Sequence, residues 1–177
     1  MSHILKTERL TLTPLSLADM DDLLTLWRDE DFTRFTSGRT LTEEEIWTRL
    51  LRDIGHWAAM GFGNWAIRLT QTGQHVGSVG LFDYRRALEP PFDAPEVGWG
   101  LRSAFHGQGL AMEALTAALA WSDQNIAKVR TVCMISPQNQ PSIQLALRTG
   151  FRPYGQGQYA GSVVDLYERP RFARLGG

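Results

Sequence analysis

Residues 96–114, EVGWGLRSAFHGQGLAMEA, combine residue types that can bind an anionic group. A short apolar strand leads into a glycine-bearing turn, and a helix follows. Gly107 and Gly109 have no Cβ atom, so several backbone N–H groups can converge on one phosphate, and the helix N-terminus adds partial positive charge. This order of elements predicts a phosphate site without a lysine, although a G-x-G pair is also compatible with an ordinary turn into a helix.

Other motifs for nucleotide, hydrolase or metal chemistry are missing. The chain has no Gly-Lys dipeptide, which argues against a nucleotide-triphosphate loop, and Met112 stands where the dinucleotide fingerprint needs a third glycine. Neither H-E-x-x-H nor G-x-S-x-G occurs. The four scattered histidines and the single cysteine, Cys133, lack the spacing of a zinc site, so we expect no metal.

Length and charge restrict the class of protein further. The chain has 177 residues, 43% of them apolar, and a net charge of -1, which fits one packed domain over residues 1–177 and gives no support for nucleic-acid binding. No stretch approaches the ~20 apolar residues of a membrane helix, and one cysteine favours a reducing, cytoplasmic compartment. Residues 91–177 have eight basic and six acidic side chains, against ten and thirteen before them, so we expect an anionic ligand in the second half.

Hydrophobic periodicity predicts the elements that hold this turn in place. Capping boxes at residues 16–19 and 42–45 begin two helices, and residues 84–95 form a proline-rich loop or an ordered lid. The expected order is β-α-α-β-β-β-α-β-α-β-β. It indicates an α/β domain whose sheet is antiparallel early in the chain and parallel between EVGWGL and RTVCMIS, the strands on either side of the helix at residues 110–125.

Two ordered segments resemble the GNAT superfamily of N-acetyltransferases. The run H-G-Q-G-L-A at residues 106–111 is similar to the Q/R-x-x-G-x-G/A acyl-CoA loop, and the M-E-A that follows is similar to the T-E-A of the RimJ/RimL-like branch, which includes ribosomal-protein N-acetyltransferases. Residues 139–151, N-Q-P-S-I-Q-L-A-L-R-T-G-F, resemble the N-x-x-S-i-x-x-x-x-k-x-G-F segment of that branch. The opening T-E-R-L-T-L-T-P-L also fits, so the resemblance covers nearly the whole chain.

The resemblance implies the acyl-CoA N-acyltransferase fold, a central mixed and mostly antiparallel sheet flanked by helices. Its EVGWGL and RTVCMIS strands would splay apart at their C-terminal ends, and the pantetheine arm of acetyl-CoA would lie in the wedge. Backbone groups of residues 100–102 would bond the pantetheine amides, and the amides of residues 107–111 would hold the pyrophosphate. Asn139 would border the arm, and Arg148 would approach the phosphates. The cofactor-binding residues implied in this way are Gly100, Leu101, Arg102, His106, Gly107, Gln108, Gly109, Leu110, Ala111, Asn139 and Arg148.

Acetyl transfer to an amine needs a neutral nucleophile. A lysine-like amine costs about 4.6 kcal/mol to deprotonate at pH 7, and an α-amino group costs only about 1 kcal/mol. Glu96 is the candidate base, because it begins the EVGWGL strand and the resembled branch often has glutamate there. The alternative is a strand-end carboxylate held in a salt bridge, with Asp165 and Glu168 as substitute bases.

The departing thiolate needs a proton, and many superfamily members donate it from a tyrosine at the position of Ala146. The RimJ/RimL-like branch suggests Ser142 instead, which would otherwise bond only backbone groups in the first turn of its helix. Three tyrosines remain as further candidates: Tyr154, Tyr159 and Tyr167.

The acceptor pocket is the part least determined by these motifs. Five aromatic residues either border it or fill the core: Phe32, Phe35, Trp57, Phe82 and Tyr84. Trp57 and Trp99 are the tryptophans expected nearest the wedge. Acidic patches at residues 29–31 and 43–45 would suit a cationic acceptor, unless they serve the N-termini of helices.

The sequence thus predicts an acetyl-CoA-dependent N-acetyltransferase that acts by direct attack on a primary amine, either a protein N-terminus or a small molecule. Cys133 is expected to be a core thiol rather than a covalent nucleophile. A homodimer is compatible with this reading, and no nucleic acid or membrane partner is expected. The alternatives are a non-catalytic acyl-CoA-binding or regulatory module of the same fold, and a phosphate-binding α/β protein with a coincidental motif.

Overall fold

The computed structural model describes residues 3–171, which fold into a sheet flanked by helices. The strands are β1 Leu5–Lys6, β2 Leu10–Pro14, β3 Asn64–Leu69, β4 His75–Phe82, β5 Leu88–Glu89, β6 Glu96–Leu101, β7 Arg130–Ile135, β8 Arg152–Tyr159 and β9 Ser162–Pro170. The helices are α1 Met20–Arg28, α2 Glu30–Thr33, α3 Glu43–Met60, α4 Leu110–Asn125 and α5 Gln140–Arg148. Within the described residues the strands lie in the order β1-β2-β3-β4-β6-β7-β9-β8-β5. Neighbours are antiparallel except β6 and β7, which confirms the mixed, mostly antiparallel sheet.

Local signals in the sequence set the ends of the helices as expected. Helix α3 begins with a capping box in which Thr42 Oγ1 accepts a hydrogen bond from the backbone N–H of Glu45 at 3.3 Å. It ends at Gly61, whose φ of 74° suits a residue without a Cβ atom. Helix α5 has Pro141 in its first turn, where a missing N–H costs nothing.

Three short elements were not predicted as such. The polar loop after α1 contains the single turn α2, because Asp29 Oδ1 accepts hydrogen bonds from the N–H groups of Asp31 and Phe32. A two-residue strand, β1, precedes β2. The proline-rich loop contains β5, which pairs with the end of β8 through Leu88 opposite Tyr159, so this loop is ordered along the edge of the sheet.

Helices cover both faces of the sheet. The apolar stripe of α4, including Leu115 and Ala118, packs on one face against β2, β3, β4 and β6. On the other face α1 and α3 bury Leu26, Ile46 and Leu50 in a second cluster. Within residues 3–171 no helix is long and apolar enough to cross a bilayer.

Candidate active site

The parallel strands β6 and β7 meet only at one end. Glu96 is in register with Val132, whose N–H donates to the Pro95 carbonyl at 3.0 Å, and the described residues form no further β6–β7 pair. A cavity of about 240 Å³ opens in the gap, with residues 96–100 of β6, 133–135 of β7 and Ser136 just after β7 in its walls. The two strands therefore form the wedge that the resemblance implies.

Alternation along β6 puts Glu96, Gly98 and Gly100 on the face towards α1–α3, and Val97 and Leu101 in the core beside α4. The two glycines leave room for aromatic rings. A Cβ atom at Gly98 would lie 2.8 Å from Cζ of Phe82, and one at Gly100 would overlap the ring of Phe32. The side chain that β6 presents to the cavity from this face is therefore that of Glu96.

One edge of β6 is hydrogen-bonded to β4 within the sheet, and the other edge faces the wedge. The Arg102 N–H donates to the Val76 carbonyl at 2.9 Å, so it is used within the sheet. Peptide groups alternate in direction along a strand, and those of Trp99 and Leu101 therefore point towards the wedge. The Leu101 carbonyl already accepts a hydrogen bond from His106 Nε2 at 3.0 Å. This bond gives the His106 ring a positioning role at the start of the glycine turn.

The turn itself has the backbone conformation that the glycines suggested. Gly107 and Gly109 have φ angles of 72° and 75°, a region that favours glycine, and both are exposed. Gly109 is the N-cap of α4, so the free N–H groups of the first helical turn follow it directly.

Sequence reasoning missed the residue that holds this turn. Arg9 Nη1 donates to the Gln108 carbonyl at 2.9 Å, and Arg9 Nε donates to Glu113 Oε2 at 2.7 Å. Glu113 also accepts hydrogen bonds from the side chain of Thr7 and the backbone N–H of Arg9. Arg9 and Glu113 belong to the T-E-R-L and M-E-A segments, but no local pattern pairs two residues 104 positions apart.

Glu96 lies at the closed end of the wedge and is 7% exposed. Arg86 Nε donates to Glu96 Oε2 at 2.6 Å, and Arg86 Nη1 donates to the Tyr159 hydroxyl at 3.0 Å. Burial raises the pKa of the Glu96 carboxyl, and the positive charge of Arg86 opposes that rise. Glu96 is thus a salt-bridge partner of Arg86, as the alternative interpretation expected, and its role as a base stays a prediction. Arg86, from the loop of residues 83–95, was not predicted.

Comparison with known proteins agrees with this geometry. The family description "Acetyltransferase (GNAT) domain" matches residues 9–152. The chain belongs to the GNAT acetyltransferase family. A protein of Bordetella pertussis assigned to GNAT-family acetyltransferases is 38% identical, with a TM-score of 0.85 over 94% of this chain and 99% of its own. The uncharacterized N-acetyltransferase p20 of Bacillus licheniformis is 25% identical over 92% of each chain.

RimL, a ribosomal L7/L12 alpha-N-protein acetyltransferase, shares the GNAT fold at 18% identity, with a TM-score of 0.78 over 95% of this chain and 98% of its own. The family and the RimL-like fold thus agree with the resemblance drawn from the two motifs.

The second GNAT motif lies on the β7 side of the wedge. Asn139 and Ser142 both border the cavity, and Asn139 Oδ1 caps α5 by accepting from the Ser142 N–H at 3.3 Å. This cap fixes the first turn of α5, in which Ser142 lies. Ala146, at the usual tyrosine position, is fully buried. Arg148 is exposed on α5 and outside this cavity.

The substitute bases lie outside the cavity. Asp165 accepts a hydrogen bond from Gln156 at 2.9 Å, and Glu168 pairs with Arg130. Of the three tyrosines considered as acids, only Tyr159 borders the cavity. Cys133 is 1% exposed and burial raises the pKa of its thiol, in agreement with a core thiol.

Four of the five expected aromatic residues border the cavity: Phe32, Phe35, Phe82 and Tyr84. The expectation for Trp57 was wrong. Its ring packs with Trp65 and Trp121 at centroid distances of 4.8 and 5.8 Å, in a cluster away from the wedge, whereas Trp99 does border it. Helical periodicity indicated a buried face for Trp57 but could not identify the rings that cover it.

The acidic patches serve local structure. Asp29 caps α2 and its Oδ2 accepts from the backbone N–H and hydroxyl of Ser103 at 2.7 and 2.9 Å, which ties α2 to the end of β6. Glu45 caps α3 and pairs with Arg39. In residues 3–171 no three His, Cys, Asp or Glu side chains are grouped to hold a metal ion.

Proposed function

We propose that this GNAT protein transfers the acetyl group of acetyl-CoA to a primary amine by direct attack in a ternary complex. The observation that supports this most is the wedge between β6 and β7, with the buried carboxylate of Glu96 at its closed end and the left-handed glycine turn at its open end. The glycine turn would hold the phosphates of an acyl-CoA, and the carboxylate would take the proton of the amine.

Acetyl-CoA would supply the activated thioester, and the residues present fit its parts. The backbone N–H groups of residues 107–111 would hold the pyrophosphate, with His106 and Gln108 shaping the turn around Gly107, Gly109, Leu110 and Ala111. The RimL relative was solved in complex with coenzyme A, which supports the same use of the fold here. Along the arm, residues 100–102 would contribute mainly through the backbone N–H of Leu101, since its carbonyl already accepts from His106. Asn139 would lie opposite, and Arg148 would lie towards the phosphates.

Glu96 would accept the proton of the attacking amine, directly or through a water. Its burial raises its pKa and so makes the carboxylate a stronger base, while the ion pair with Arg86 keeps the proton from being held too tightly. The demand on this base depends on the acceptor, since an α-amine needs about 1 kcal/mol to deprotonate at pH 7 and a lysine-like amine about 4.6 kcal/mol.

Ser142 would donate a proton to the leaving thiolate. Ser142 borders the cavity in the first turn of α5, three residues after Asn139. Tyr159 is a second donor, because it borders the same cavity and is positioned by Arg86. Ala146 has no group for this step, so loss of both Ser142 and Tyr159 hydroxyls should leave the thiolate to be protonated by water.

A turnover assay combined with a binding assay tests the proposal. Release of the CoA thiol from acetyl-CoA is measured across peptides with free N-termini and small primary amines, and CoA affinity is measured separately. Turnover with any amine supports transfer, and tight CoA binding without turnover on any acceptor would favour the acyl-CoA-binding module. Equal thermal protection by ATP and by acetyl-CoA would favour a general phosphate-binding protein. A cytoplasmic location and a homodimer remain predictions from the sequence.

A further inference from the structure

Three arginines from two separate segments meet at the acceptor side of the cavity. Arg49 and Arg52 come from α3, and Arg86 comes from the loop before β5. Two of them have a carboxylate partner. Arg52 pairs with Asp53 at 2.9 Å, and Arg86 pairs with Glu96 at 2.6 Å. These two pairs are close to neutral, so the charge of this wall depends on Arg49.

Arg49 is half-buried, and its guanidinium carbon lies 4.7 Å from the centroid of the Trp27 ring. No carboxylate oxygen between residues 3 and 171 lies within 4.0 Å of it, and none of its N–H groups has a hydrogen-bond partner in that part of the chain. A cation over an aromatic ring keeps its positive charge and its N–H donors for an anion. Arg49 therefore brings a guanidinium without a carboxylate partner to the wall of the cavity.

The nearby carboxylate of Asp53 cannot serve Arg49. Asp53 Oδ1 accepts hydrogen bonds from Arg52 and from the Tyr84 hydroxyl at 2.9 and 2.5 Å, and Oδ2 accepts from Asn64 at 3.0 Å. Burial lowers the pKa of Arg49, and the positive charges of Arg52 and Arg86 add to that effect, although a guanidinium stays protonated at neutral pH. A half-buried cation repelled by its neighbours gains from an anionic ligand.

We propose that the acceptor is an amine that also carries a carboxylate, and that Arg49 binds this carboxylate while the amine lies at Glu96. This inference rests on the proposed function, because Arg49 and Glu96 border the same cavity in which the amine would be acetylated. A purely cationic acceptor is disfavoured, since the acidic patches of Asp29 and Glu45 are used by helix caps, Ser103 and Arg39. The carboxylate belongs either to a side chain of a peptide N-terminus or to a small amino acid.

Two pairs of acceptors distinguish these sources. The peptide pair is Ser-Glu-Ala-Ala-amide and Ser-Gln-Ala-Ala-amide, and the small-molecule pair is 4-aminobutanoate and 4-aminobutanamide. Each pair differs in one negative charge remote from the amine. Turnover at saturating acetyl-CoA and equilibrium binding by calorimetry are measured for wild type, Arg49→Gln, Arg49→Lys and the control Arg28→Gln. Arg28 is exposed at the end of α1 and does not border the cavity.

Wild type and Arg28→Gln should prefer the carboxylate member of one pair by about tenfold or more, as expected for a charged hydrogen bond in a sheltered site. Arg49→Gln should lose this preference, and Arg49→Lys should keep part of it. CoA affinity and the thermal midpoint should remain close to wild type, which excludes a folding defect.

The equilibrium-binding measurement distinguishes failure of the anion site from failure of the proposed acetyltransferase activity. Selective binding of a carboxylate member that disappears in Arg49→Gln, with no turnover on any acceptor, would keep the anion site and reject the acetyltransferase. Turnover without preference in either pair, or a preference that Arg49→Gln retains, would overturn the anion site and keep the acetyltransferase. Absence of selective binding of the carboxylate member in both pairs would also overturn the anion site.

Discussion

The guanidinium Nε of Arg86 lies 2.6 Å from Oε2 of Glu96, at the point where β6 and β7 part. Arg86 comes from a loop that also forms β5 at the far edge of the sheet, beside Tyr159. The acceptor side of the cavity is therefore tied to the β8–β9 pair through one arginine. Burial raises the pKa of the Glu96 carboxylate, and the positive charge of Arg86 acts against that rise.

Replacing Arg86 with Gln should move the acidic limb of the kcat/KM profile to higher pH. A base acts in its deprotonated form, so activity rises with pH through the pKa of Glu96. Burial already raises that pKa, and loss of the opposing positive charge raises it further. Arg86→Lys keeps the charge and should keep a limb close to wild type. An unchanged profile in Arg86→Gln would show that Glu96 is not the titrating base.

Replacing Glu96 with Gln should slow lysine-like acceptors much more than α-amino ones. The variant keeps a hydrogen-bond acceptor for Arg86 but cannot take a proton. We expect a loss of about 10²-fold or more in kcat/KM for lysine-like amines and less than about tenfold for α-amines, because their deprotonation costs differ. Steady-state kinetics at pH 7 with matched peptides measure both losses. Equal losses on the two acceptor types would contradict a role in deprotonation.

Replacing Gly109 with Val should abolish tight CoA binding. A side chain at φ 75° is strained and would also alter the exposed N–H groups of the turn. Gly73 has φ 73° in the β3–β4 turn, so Gly73→Val is a control with matched backbone strain of about 1–2 kcal/mol. Calorimetric titration with CoA should give at least about tenfold weaker binding for the Gly109 variant alone. Equal CoA affinities of Gly109→Val and Gly73→Val would show that the glycine turn is not part of the CoA site.

Replacing Arg9 with Gln should weaken acetyl-CoA binding without changing acceptor specificity. The variant loses the bonds from Arg9 to the Gln108 carbonyl and to Glu113, so the turn is held less firmly. We expect roughly threefold to tenfold weaker binding, because an exposed charged contact contributes about 1 kcal/mol. Arg34→Gln, which removes an exposed pair with Asp31, is the control. Wild-type affinity in Arg9→Gln would mean that the turn keeps its shape unaided.

The buried side chain of His75 should make the protein less stable in mild acid than at neutral pH. It is 2% exposed, and neither ring nitrogen has a hydrogen-bond partner among residues 3–171. Burial lowers its pKa to about 4, with the charges of Asp19, Asp22, Arg68 and Arg102 as smaller and partly cancelling influences. The unfolded chain binds a proton below its ordinary pKa of about 6.5, whereas the folded protein does so only near 4.

The free energy of unfolding is therefore expected to fall between pH 6.5 and 4, by about 3 kcal/mol from this residue. His75→Leu removes the titrating group and the unpaired polar atoms, so its urea unfolding should depend less on pH across that range. A His75→Leu slope equal to that of wild type would assign the acid sensitivity to other groups.

Local chemistry allowed much of this protein to be predicted from its residues. Some features act through backbone conformation and hydrogen bonds within a few residues, so residue type and spacing are enough to predict them. They are the Thr42–Glu45 capping box, Gly61, Gly107 and Gly109. Periodicity gave the buried face of α4, and the order of elements gave the parallel pair at β6 and β7. Glu96 could be placed at the start of a strand for the same reason.

Tertiary structure alone decided which distant side chains meet. Arg9 reaches a turn about a hundred positions away, and Arg86 reaches Glu96 from a loop. Arg49 has no carboxylate partner within residues 3–171, and the nearby Asp53 is used by Arg52, Tyr84 and Asn64. Trp57 was misplaced because a helical stripe indicates burial without naming what covers it. The sequence by itself determined the fold and the elements that we propose to bind CoA. The charge of the acceptor pocket, which depends on distances between side chains far apart in the chain, was decided by packing.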